Sequence, residues 1–98
     1  MFVNLQQIIE KMVSIEKLTK KQMEERGFKS WPVWEKDVSE FLWDFELEEY
    51  CLILDGAAEV IANSKEYHLM KGDFVRFSKG LKCPWNIKQE IRKYYQFV

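Results

Sequence analysis

The stretch Trp43-Asp44-Phe45-Glu46-Leu47-Glu48-Glu49-Tyr50-Cys51-Leu52-Ile53-Leu54-Asp55-Gly56 decides the fold. From Glu49 to Leu54 the side chains alternate, with Glu49, Cys51 and Ile53 on one face and Tyr50, Leu52 and Leu54 on the other. Both faces are apolar apart from Glu49, so both are covered. One faces a core, and the other needs a second sheet, N-terminal helices or a partner subunit. Asp55-Gly56 reads as a hairpin turn. Upstream, Ser39, Phe41, Trp43 and Phe45 share one face of another strand, and Glu46 to Glu48 form a polar bend.

Moving outward, short strands are predicted at 57–62 and 65–70, separated by Asn63-Ser64. Lys71-Gly72-Asp73 turns into 74–77, Ser78-Lys79-Gly80 turns into 81–88, and a last strand covers about 90–98. Toward the N-terminus, Trp31-Pro32-Val33-Trp34 is extended, because Pro32 disfavours a helix and biases Trp31 to β. Thr19 caps a short helix that Gly27 ends, and Val13 to Leu18 alternates as a strand. Asn4 caps a helix through about Lys11, with Leu5, Ile8, Ile9 and Met12 at helical spacing. Many short strands at even spacing predict an all-β sandwich or barrel.

The motifs resemble those of the cupins. Glu49 followed after six residues by Gly56 resembles the end of the first cupin motif, and Gly72-Asp73, Ser78-Lys79-Gly80 and Cys83 resemble the second. Trp31 to Ser39 and Cys83-Pro84-Trp85 look like a subgroup of very small cupins whose relatives include the ureidoglycine aminohydrolases. The resemblance implies an antiparallel jelly-roll barrel spanning one domain, 1–98, with 1–12 as a helical N-terminal extension. It also implies positions for metal ligands. The two histidines of the first motif fall on Trp43 and Phe45, with Asp44 between them, and the third falls on Cys83; the usual proline of the second turn is Ser78. Glu49 and Cys83 supply two donors where a catalytic metal wants about three, so no metal and no cofactor are expected. A soft ion held by Cys51, Cys83 and Glu49 is the alternative. The single histidine, His68, lies between Tyr67 and Leu69 and should face solvent.

Composition narrows the class. Of 98 residues, 47% are hydrophobic and 15% aromatic, too apolar for disorder, and the formal net charge is −1 with the signs mixed along the chain. No charge field gathers nucleic acid or anionic lipid. No window approaches the roughly 18 apolar residues of a membrane span, and nothing near Met1 reads as a signal peptide. Two cysteines are too few for a secreted disulfide framework. A cytoplasmic protein is expected, and the doubly apolar strand from Glu49 predicts a homodimer.

If the alternation holds, Trp43, Phe45, Glu49, Cys51, Cys83 and Trp85 line one cavity that Trp34 closes. Glu49, desolvated there, is a candidate general acid or base or an anchor for a cation; equally it is a carboxylate hydrogen-bonded at the barrel mouth. Cys51 and Cys83 are a candidate nucleophile or redox pair, or small buried hydrophobes. Trp43 and Trp85 are candidate stacking surfaces, or core filling. Arg76 reaches the rim or lies on the surface. Three functions follow: a metal-free module binding a small organic molecule, a metal-independent enzyme using Glu49 and Cys83 on a small nitrogenous substrate, or a structural protein with a filled barrel.

Overall fold

A computed structural model describes residues 12–98, so the helix expected over Asn4–Lys11 lies outside the described residues. The elements run β1 (Val13–Lys17), α1 (Lys20–Glu25), a 3-10 turn (Phe28–Ser30), β2 (Val33–Lys36), β3 (Ser39–Asp44), β4 (Glu49–Ala62), β5 (Lys65–Met70), β6 (Asp73–Phe77) and β7 (Lys82–Phe97). Every strand pairing is antiparallel. The molecule is an all-β jelly roll with one short helix.

Local signals place the small elements. The Thr19 side chain accepts from the Gln22 backbone, and the Gln22 side chain accepts from the Thr19 backbone, a complete capping box for α1. Gly27, in the left-handed region at φ 69°, ends the helix and opens the 3-10 turn. Asn63 and Ser64, both at positive φ, make the tight connection between β4 and β5.

β4 and β7 organise the rest. Glu49 to Ile53 pairs with the end of β7, from Lys93 to Phe97, while Ala57 to Val60 pairs with its earlier part, from Trp85 to Gln89. The first half of β4 also pairs with β6, which pairs with β1; the second half pairs with β5. β3 pairs with the start of β7 and β2 with its later part. One sheet is therefore β1-β6-β4-β7-β2 and the other β5-β4-β7-β3, with β4 and β7 crossing from one to the other.

That crossing corrects the reading of Asp55-Gly56 as a hairpin turn. β4 runs unbroken through it, and the register with β7 shifts between Ile53 and Ala58. These irregularities bend both strands. Gly56 sits at φ 89°, and a β-carbon there would lie 2.1 Å from the Glu90 carbonyl oxygen and 2.7 Å from the Ile91 α-carbon. The glycine serves a bulge and a close backbone approach, uses that share the positive φ of a turn. The strands expected at 81–88 and 90–98 are likewise one bent strand, β7.

Two apolar clusters fill the two sides of this sheet. Phe45, Cys51, Ile53, Val60, Phe77, Cys83 and Ile91 belong to the interior cluster. On the other side of β4, Leu52 packs with Leu18 and Phe28, against Trp31, Phe74 and Tyr94. The second face of β4 is thus covered from within the chain, by the segment that carries α1 and the 3-10 turn.

Gly56→Ala should prevent stable folding, because the clash is with the β7 backbone at Glu90 and Ile91, which cannot swing aside as a side chain can. Gly80→Ala, at φ 94° with nothing within 4 Å of the added carbon, should cost only backbone strain of about 1–2 kcal/mol. Urea denaturation of the two variants separates a close-approach glycine from a turn glycine.

Candidate functional site

The bend in β4 and β7 brings distant residues around one space. Lys93, Tyr95 and Phe97 alternate along β7 and share a face. Trp85, from the earlier part of β7, reaches the same space. Phe41 lies opposite Trp85 on β3, and Trp43 lies two residues further along that strand. Trp34 of β2 stands opposite Lys93, and Glu49, the first residue of β4, stands opposite Phe97. Together they wall a cavity of about 160 Å³ with six aromatic rings and two charged groups. Trp43 and Phe97 are partly exposed, at 38% and 44%.

The two charges form a buried ion pair. Lys93 Nζ donates to Glu49 Oε2 at 2.6 Å, and the residues are 6% and 2% exposed. Nζ also lies 4.9 Å from the ring centre of Trp34 and 5.1 Å from that of Trp85. Removing either ion from water costs several kcal/mol, which the partner charge and the flanking π faces offset. The Cys51 side chain lies close enough to Glu49 and Lys93 to feel both charges. The rings brace one another: Phe41 stacks on Trp85 at 5.9 Å, and Trp34 meets Phe41 edge-on at 6.3 Å.

The structure divides the expected site residues by depth. Trp34, Trp43, Glu49 and Trp85 wall the cavity, whereas Phe45, Cys51 and Cys83 lie beneath it in the core. Phe45 stacks on Phe77 at 4.6 Å. Both cysteines are free thiols. Burial pushes Cys51 up to about 12, with the Lys93 charge opposing the rise and the Glu49 charge adding to it, and burial alone pushes Cys83 up to about 11. Burial that raises a thiol in this way disfavours its thiolate, the nucleophilic form. Glu49 is paired with Lys93, a cation from its own chain. Arg76 pairs with Glu48. His68 is exposed and near Glu59 and Glu66, whose ligand atoms lie within 4.8 Å of one another on the outer face of β4 and β5; Lys88 is 3.9 Å from Glu59 there.

Lys93 was missed, although a signal for it existed. Ile91, Lys93, Tyr95 and Phe97 occupy alternate positions of a strand, so a lysine stands in an apolar row. Glu49 stands in another such row with Cys51 and Ile53. Two opposite charges, each on an apolar face, call for each other.

The side chains at the cupin ligand positions do not fit a metal. Trp43 and Phe45 carry no donor for one, the Glu49 carboxylate already accepts an ammonium, and Cys83 lies in the core and not in the cavity wall.

The family model described as the EutQ-like cupin domain matches residues 23–95. A crystal structure of a DUF861 family protein from Thermotoga maritima is 44% identical, with a TM-score of 0.83, covering 88% of this chain and 99% of that one. The EutQ protein of Clostridium difficile is 19% identical at a TM-score of 0.63, over 88% of this chain and 67% of that one. The cupin domain of Schizosaccharomyces pombe Cnp3 is 20% identical at 0.59, over 98% of this chain and 63% of that one. The last two share the fold alone. No curated protein matches the chain.

Glu49→Gln and Lys93→Met should each cost about 3–5 kcal/mol, since each strands a buried partner, while the double variant should be close to neutral. A double-mutant cycle by urea denaturation measures this coupling. For the thiols, neither should react with a disulfide reagent at pH 8 in the folded protein, and both should react in denaturant. Their folded-state values lie above the ordinary 9.0, so the stability they confer is complete below pH 9 and is lost as pH rises toward 11. Cys51→Val/Cys83→Val should flatten that alkaline loss.

Proposed function

The chain belongs to the EutQ-like cupin family, and we propose that it binds a small organic molecule, without metal, in the aromatic cavity of its barrel. The observation that carries this reading is the cavity itself: six rings around a buried ion pair, open at Trp43 and Phe97. A core built only for stability has few voids larger than a water molecule. A buried ion pair is often no more stabilising than a hydrophobic replacement, so its presence at a cavity wall favours use in recognition. The filled-barrel reading has the cavity against it. An enzymatic reading would have to use the Glu49–Lys93 pair for proton transfer, since Cys83 is fully buried and does not line the cavity.

A place beside the ureidoglycine aminohydrolase-type cupins belongs to the same proposal and would make the ligand a small nitrogenous compound. So does a cytoplasmic location, which the two free thiols suit. No helix among the described residues is long and apolar enough to cross a membrane. Homodimerisation is also part of it, supported by exposed apolar side chains such as Leu42, Leu47 and Val98.

The four indole N–H signals provide the test. Trp31 belongs to the cluster on the other side of β4, away from the cavity. Titration with single-ring fragments should shift the indole signals of Trp34, Trp43 and Trp85 in nitrogen–proton spectra and leave that of Trp31 in place, and Glu49→Gln should weaken the response. Silence of all three cavity indoles toward every fragment would sink the proposal.

A further inference from the structure

Granted that reading, the walls of the cavity restrict what enters it. We infer that the ligand is an uncharged, planar carbonyl compound of single-ring size, such as a lactam or an aromatic amide, whose oxygen accepts a hydrogen bond from Lys93.

Size comes first. A volume of about 160 Å³ is close to that of an apolar cavity of about 150 Å³ that takes one benzene ring. Shape follows from the walls, because aromatic faces and edges favour a flat guest in stacked or edge-on contact.

Charge sets the next limit. Glu49 and Lys93 balance, and both are almost wholly buried. An organic anion would place two negative groups on one ammonium, and an organic cation would place two positive groups on one carboxylate. Either leaves an uncompensated charge in a site walled by rings, where such charges are costly. A neutral guest disturbs neither partner.

Hydrogen-bonding capacity then selects the functional group. An ammonium has three donors. Among the described residues, Lys93 spends one on Glu49 and otherwise has the rings of Trp34 and Trp85 near it, which are weak acceptors. The Glu49 carboxylate already receives Lys93. Trp85 Nε1–H, in the same wall, is buried and has no acceptor among the described residues. The Tyr95 hydroxyl can serve either way. The wall therefore has donors in excess, and the group that matches it without adding charge is a carbonyl oxygen.

The test uses the full chain and four single-ring probes: 2-pyridone, toluene, benzoate and benzylammonium, titrated by tryptophan fluorescence. 2-Pyridone should bind at least about tenfold more tightly than each of the others, the gain expected from one hydrogen bond to a charged donor. In Glu49→Gln/Lys93→Met, which removes both charges together and keeps every ring, 2-pyridone should fall to the level of toluene while toluene is unchanged. Benzoate or benzylammonium binding as tightly as 2-pyridone would overturn the inference, as would a double variant that keeps the preference. If toluene binds and 2-pyridone binds no better, the carbonyl inference falls and the cavity reading stands. If none of the four binds the wild-type chain, both fall.

Discussion

The close approach of β4 to β7 at Gly56 is the constraint from which the rest of the structure follows. Only a residue without a β-carbon lets the Glu90 carbonyl come so near. The two strands bend there together, and each serves two sheets. Without the bend, Trp85 and Lys93 would lie eight positions apart along one straight strand, about 26 Å at the usual rise. With it, both stand within reach of the Glu49 carboxylate.

The ion pair is the second-order result. Glu49 opens β4 and Lys93 lies near the end of β7, 44 residues away. Neither could be buried alone. Each makes the other tolerable, and the indole rings of Trp34 and Trp85 lie near Nζ. Six aromatic side chains and this pair wall the cavity together.

The fold was legible in the residues, and for identifiable reasons. The Thr19 cap, the Asn63-Ser64 turn and the alternation from Glu49 to Leu54 are local features that act through neighbours in the chain. Asp55-Gly56 was misread because a bulge and a hairpin turn ask the same freedom of a glycine, and only the partner strand decides between them. The site was legible by face and not by depth. Alternation placed Trp43, Phe45, Glu49, Cys51, Cys83 and Trp85 inward together, yet in a closed sheet an inward residue at mid-height meets packed core while one near the rim meets open space. Phe45 and both cysteines are of the first kind. The position of Lys93 depends on the bend, which no stretch of β7 announces by itself.

The charge beside Glu49 is supplied by the chain. A bound ion has a dissociation constant, an exchange rate and a dependence on supply, so the fraction of molecules carrying it varies with conditions. A tethered ammonium has none of these. It is present once per molecule at any dilution and cannot be stripped by a chelator or swapped for a competing ion. That charge is in place as soon as β4 and β7 have paired.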